Sequence, residues 1–187
     1  MVVSAERESK RVDDETLARW GVEVAERCLR EGTMLATAES CTGGWIAKCL
    51  TDIAGSSRWF AGGVVSYSNA AKSDILGVSA ALTETHGAVS GAVARAMAEG
   101  ALRVFRVDRA VAVTGIAGPG GGTAAKPVGT VWFAWAACER PTMSECRHFG
   151  SDRETVRRKA VAYALEGVLA SMETPRFQSP TSPEQGD

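Results

Sequence analysis

The sequence predicts one α/β domain, a three-layer α/β/α arrangement on a mostly parallel mixed sheet. Three observations carry this. Short apolar runs alternate with segments whose apolar residues recur at helical spacing. Two glycine-rich turns each follow such a run, as ligand-binding turns do at the carboxyl edge of open α/β sheets. Two further segments near the C-terminus read as strands one turn apart, which adds an antiparallel hairpin.

The elements follow in order. Asp13 or Asp14 can cap a first helix in which Leu17, Trp20, Val24 and Cys28 share a face, and Gly32 stops it. Residues 34–38 form a short buried strand. Residues 39–44 turn into a helix over about 44–54, with Ile46, Leu50 and Ile53 on one side and Gly55 at its end. Residues 59–68 have strand character. Asn69 is the expected N-cap of a short helix reaching Leu76. A longer helix spans 90–105, with Val93, Met97 and Leu102 facing inward. Residues 110–114 are a buried strand and 115–127 a glycine-rich loop. Strands over 130–138 and 145–149 are joined by a turn at Pro141. Asp152 caps a last helix ending near Met172. The expected domain is thus 13–172, between a flexible N-terminus (1–12) and a disordered tail (173–187) with Pro175, Pro180 and Pro183 among polar residues.

Composition removes several classes of function. The chain has 187 residues, 45% hydrophobic and 23% charged, which suits one globular domain. Its 21 basic and 22 acidic residues give a formal net charge of −1, so no bulk basic field exists to hold nucleic acid. No apolar run approaches the roughly 20 residues of a membrane helix. The N-terminus lacks the apolar segment of a secretory leader. The five cysteines include no C-x-x-C pair, which argues against a disulfide framework and a zinc knuckle. A reduced, cytoplasmic protein without metal or cofactor is expected.

The first candidate site is Glu39-Ser40-Cys41-Thr42-Gly43-Gly44, a strand–turn–helix junction. Free backbone N–H groups at a helix N-terminus attract developing negative charge. Gly43 and Gly44 allow close approach to the backbone. A hydroxyl here suits an acyl-transfer nucleophile beside an oxyanion site. It equally suits a simple N-cap, by Ser40 or Thr42. Cys41 is a rival nucleophile on the same turn. Of possible bases, His86 and His148 occupy no triad-like segment. Lys72 follows a strand and falls on the first turn of the expected helix, where burial and helix-end charge both favour a neutral amine. An exposed lysine is the alternative. The Tyr67 hydroxyl can orient or relay a proton, or Tyr67 is a strand aromatic only.

The second candidate is Thr114-Gly115-Ile116-Ala117-Gly118-Pro119-Gly120-Gly121. Successive glycine N–H groups can cradle an anion. Neither the Walker A pattern nor the dinucleotide fingerprint is present. Lys126 and Arg153 are basic side chains able to close over a phosphate, or to point into solvent.

In series, Thr-Ala-Glu-Ser-Cys-Thr-Gly-Gly, then Gly62-Gly63-Val64-Val65-Ser66-Tyr67-Ser68-Asn69 with Lys72, His86-Gly87-Ala88-Val89-Ser90, the Thr114–Gly121 stretch and Pro127-Val128-Gly129-Thr130-Val131 closely resemble the CinA C-terminal domain family. The match covers about residues 14–172 and none of the molybdopterin-binding-like N-terminal half of longer members. The resemblance implies an amidohydrolase converting nicotinamide mononucleotide (NMN) and water to nicotinic acid mononucleotide and ammonia, with no metal. It implies Ser40, Tyr67 and Lys72 as catalytic residues. It also implies Cys41, Thr42, Gly43, Gly44, Thr114, Gly115, Gly118, Gly120, Gly121 and Arg153 as the oxyanion- and substrate-binding set. The expected partners are a small pyridine nucleotide and further copies of the chain, with neither nucleic acid nor membrane. The competing expectation is a non-catalytic nucleotide-binding or competence-associated module of the same fold.

Overall fold

Strand β1 (Leu35–Glu39) is buried along its whole length, because it lies in the middle of a sheet covered on both faces. The structure, a computed structural model, describes residues 12–173. The expected frayed start and disordered tail otherwise fall outside these residues. Around β1 are helix α1 (Asp14–Glu31), α2 (Trp45–Thr51), a 3₁₀ turn (Ser56–Arg58), β2 (Phe60–Val65), α3 (Asn69–Leu76), α4 (Ala80–His86), α5 (Gly91–Phe105), β3 (Arg109–Gly115), β4 (Thr130–Ala137), β5 (Met143–His148) and α6 (Arg153–Glu173). The sheet order is β2-β1-β3-β4-β5. The strands β2, β1 and β3 run parallel, while β4 and β5 are antiparallel to their neighbours. This is the expected mixed sheet with a C-terminal hairpin.

The two faces differ in kind. Val111, Val113, Val131 and Phe133 point to one side, where α1, α2 and α6 supply Leu17, Val24, Ile46, Leu50, Leu165 and others. Ala38, Ala110, Ala112, Ala134 and Ala136 point to the other, beneath α5 with its Val93, Ala94 and Met97. Alternation along each strand produces this division. Small side chains on the second face let α5 lie close to the sheet.

The local differences from expectation have local causes. Ser68, not Asn69, caps α3, its hydroxyl accepting from the Ala71 N–H at 3.0 Å. Strand β2 ends at Val65, short of the expected 68, because the carbonyls of Ser66 and Tyr67 turn toward Lys72. Helix α4 carries no apolar stripe, since none of its residues is buried, and so left no periodic signal; Ser79 caps it.

The connections place the site. From β1 the chain passes to α2 on the valine face, and from β2 to α3 on the alanine face. The carboxyl ends of β1 and β2 are therefore a point where neighbouring strands send their loops to opposite sides. Open α/β sheets form their binding crevice at such a point.

Candidate active site

Two groups meet at this crevice from opposite sides. Ser40 follows β1 directly, its N–H donating to the Val113 carbonyl at 2.9 Å, which ties the turn to β3. Lys72 reaches in from α3. Its Nζ lies 3.2 Å from Ser40 Oγ, 2.8 Å from the Ser66 carbonyl oxygen and 3.3 Å from the Tyr67 carbonyl oxygen. Lys72 is only 1% exposed. Burial holds its amine below the usual lysine range, and no carboxylate among the described residues pairs with it to offset the loss of water. Burial, one of the two causes expected from sequence, is the dominant one.

The turn itself is tightly determined. The Glu39 carboxylate is buried, accepting from the N–H groups of Gly44 (3.0 Å), Ile46 (3.1 Å) and Ala47 (2.8 Å). It caps α2 from the strand before it, where a substrate anion was expected. Gly43 N–H donates to the Ser40 carbonyl at 3.0 Å. The amides of Gly43 and Gly44, assigned from sequence to the oxyanion, are thus already occupied. Within this turn, the N–H groups of Cys41 and Thr42 donate to no other residue among the described ones, the Cys41 N–H lying against its own thiol. Gly43 and Gly44 have φ of 65° and 91°, a region that disfavours side chains. The Arg157 guanidinium passes behind the turn, Nε donating to the Cys41 carbonyl at 3.0 Å and Nη2 to the Thr42 carbonyl at 2.9 Å. The Thr42 hydroxyl is buried without a partner among the described residues, so neither it nor Ser40 caps α2 by side chain.

Cys41 is buried in the core, and burial pushes its thiol up to about 12. A thiol so held is protonated near neutral pH and is a poor nucleophile.

Tyr67 is placed differently from its expected role. Its phenol is on the surface, the residue being 62% exposed, and accepts from Arg153 Nη2 at 3.3 Å. It makes no hydrogen bond with Lys72 or Ser40. Tyr67 reaches the lysine through its carbonyl oxygen instead. Arg153 Nη1 donates to the Gly118 carbonyl at 2.6 Å. Arg153 therefore joins the loop after β3 to the loop after β2, at the rim of the crevice.

The rest of the expected substrate set divides. The Thr114 hydroxyl donates to the Ala88 carbonyl at 2.9 Å, holding the start of α5. Gly115 lies so close to β4 that a Cβ there would sit 2.8 Å from a Val131 methyl. Gly120 and Gly121 are exposed on the loop with nothing crowding them. Lys126 Nζ donates to the His86 carbonyl at 2.8 Å, away from the Ser40–Lys72 pair's hydrogen bonds. No group of histidine, cysteine or carboxylate side chains able to hold a metal ion occurs among the described residues, and no described helix is long and apolar enough to cross a membrane.

A family model, the CinA C-terminal domain, matches residues 18–172. The chain belongs to the CinA C-terminal domain family. Similar CinA-family relatives include a nicotinamide-nucleotide amidohydrolase PncC of Escherichia coli K12, 52% identical over 155 residues, or 82% of this chain and 93% of that protein. The PncC of Pseudomonas putida is 51% identical over 146 residues, covering 78% and 91%. Among solved CinA structures, a competence/damage inducible protein CihA from Agrobacterium tumefaciens matches with a TM-score of 0.82 and 44% identity, over 85% of this chain and 96% of that one.

Sequence reasoning missed Glu39 and Arg157. An acid closing an apolar strand just before a helix is a readable capping signal. Arg157 had none, because its acceptors lie 116 and 115 residues away.

Proposed function

We propose that the chain hydrolyses the carboxamide of NMN to nicotinic acid mononucleotide and ammonia through an acyl-enzyme on Ser40, with Lys72 as base. The amidohydrolase assignment rests on its PncC relatives. The observation that supports the mechanism is the buried 3.2 Å contact between Lys72 Nζ and Ser40 Oγ. A neutral lysine has two N–H groups and one lone pair. The two carbonyls of Ser66 and Tyr67 take the N–H groups, leaving the lone pair for the Ser40 hydroxyl proton. No phenol relay is then required.

Ser40 Oγ attacks the carboxamide carbon as its proton passes to Lys72. The oxygen that becomes negative is held by the Cys41 and Thr42 N–H groups. The lysine ammonium returns the proton to the departing nitrogen, which leaves as ammonia. Water, deprotonated by the again neutral Lys72, then attacks the ester carbon, and the lysine ammonium returns that proton to the departing Ser40 Oγ, which frees the acid and restores the enzyme. Arg153, an exposed cation whose Nη1 and Nη2 donate to the Gly118 carbonyl and the Tyr67 hydroxyl, is the side chain we assign to the 5′-phosphate.

The test is ammonia release from NMN by wild type and Ser40→Ala, with intact-protein mass spectrometry for the nicotinoyl adduct. The expected result is a loss of about 10³-fold or more in kcat for Ser40→Ala. Full activity in that variant rejects the mechanism.

A further inference from the structure

We propose that Arg157 is a positioning residue for the oxyanion site, aligning and polarising the Cys41 and Thr42 N–H groups from behind the Ser40 turn. The proposal rests on the acyl-enzyme mechanism above.

In a trans peptide the C=O and N–H point in opposite directions on one rigid plane. The Cys41 carbonyl, held by Arg157 Nε, shares its plane with the Thr42 N–H. Fixing the carbonyl toward α6 fixes that N–H away from α6. The Thr42 carbonyl, held by Arg157 Nη2, shares its plane with the Gly43 N–H. That N–H donates to the Ser40 carbonyl, whose own plane carries the Cys41 N–H. One guanidinium thus connects to both unpartnered amides of the turn, by one peptide to Thr42 and by two peptides and one hydrogen bond to Cys41. Hydrogen bonds in such a chain strengthen one another, and a cation at its head makes the terminal N–H groups better donors.

The fork is built for this. Arg157 stacks over the Trp45 ring at 5.4 Å, which restrains the guanidinium plane. A Cβ on Gly43 would sit 3.4 Å from Arg157 Nη2, so the small residue leaves the guanidinium room. No carboxylate pairs with Arg157 among the described residues, and its hydrogen bonds go to these two carbonyls. Backbone amides that bond to no other residue are rare in folded proteins, and two in succession beside the Ser40 hydroxyl point to an acceptor supplied by substrate.

The test compares wild type with Arg157→Met and Arg157→Lys. The readouts are kcat and KM for NMN, the affinity for nicotinic acid mononucleotide, and the affinity for the 3-formylpyridine analogue of NMN. That aldehyde forms a tetrahedral adduct with a serine hydroxyl. For Arg157→Met, kcat and aldehyde affinity should fall together by about 10- to 100-fold, as for a weakened oxyanion donor. KM and product affinity should change less than about threefold, because ground-state binding is left intact. Arg157→Lys should recover only part of the loss, since one ammonium cannot hold two carbonyls in a fork. If Arg157→Met does not fold, Arg157→Lys is judged by the same split. A kcat within about threefold of wild type, or a loss confined to KM, overturns the proposal. Ser40→Ala distinguishes the two layers. An inactive Ser40→Ala with a fully active Arg157→Met removes only the role of Arg157, whereas an active Ser40→Ala removes the mechanism beneath it.

Discussion

The turn after β1 and the loop after β3 are both rich in glycine and both lie at the carboxyl edge of the parallel strands, yet they are built in opposite ways. In the first, Glu39 takes three amides, Arg157 takes two carbonyls, and both Ser40 and Lys72 are buried. In the second, the base is closed by backbone bonds among Ile116, Pro127, Gly129 and Thr130, but residues 119–125 are exposed, and tethers over 118–126 are few: Arg153 to Gly118, Lys126 to His86, and a Thr123–Lys126 turn. Glycine serves opposite ends. At Gly43 and Gly44 it admits a left-handed backbone that closes a rigid turn; at Gly120 it leaves open space. Rigid geometry belongs where bonds are made, and slack where a substrate must enter.

The largest expected effect breaks the rigid side. Lys72→Met should lower kcat by about 10³-fold or more in ammonia release while the fold persists by circular dichroism. In wild type, the neutral amine is the active form. Activity should therefore fall as pH drops through Lys72's depressed pKa, so the acid limb of kcat/KM lies below the free lysine value of about 10.4. The same shift acts on stability. Between the folded and unfolded pKa the unfolded chain binds more protons, so Lys72's contribution improves as pH rises through that window and is least favourable below it. Lys72→Met should remove this slope and raise Tm most at the acid end, as measured by thermal melts across pH.

Next, Glu39→Ala leaves three amides at the α2 N-terminus without their acceptor and should cost about 3 kcal/mol in denaturant unfolding. A smaller loss, about 1–2 kcal/mol, is expected for Gly43→Ala, from its positive φ. Gly120→Ala in the open loop should stay within about 0.5 kcal/mol, and the difference between these two alanines measures how unlike the regions are. The least change in activity is expected for Cys41→Ala. Its thiol, pushed to about 12, has no thiolate role, so kcat should remain within about twofold despite some loss of stability. A kcat collapse there would transfer the nucleophile to the thiol.

Much of this was legible beforehand. The order of strands and helices follows from apolar runs and caps, and β3, α5 and α6 stand within a residue or two of their expected bounds. Ser40 and Lys72 were visible because one sits just past a strand and the other on the first turns of the helix after the next strand, positions that local turn and cap signals announce. Helix α4 was not, because an exposed helix has no apolar stripe. The direction of the Tyr67 phenol, left open in the sequence between a proton relay and a strand aromatic, lies outward, since a residue past the strand end no longer obeys its alternation.

The sequence by itself determined which segments are strands, where the glycine turns fall, and that a hydroxyl follows one strand directly while an amine lies on the helix after another. Only the tertiary structure decided that the amine loses its water against that hydroxyl, that Gly43 and Gly44 amides are already taken, and that Arg157 grips the turn. Local preferences act within a few residues. Burial and hydrogen bonding across 32 to 116 residues depend on which strands lie side by side, and that is a property of the packed chain alone.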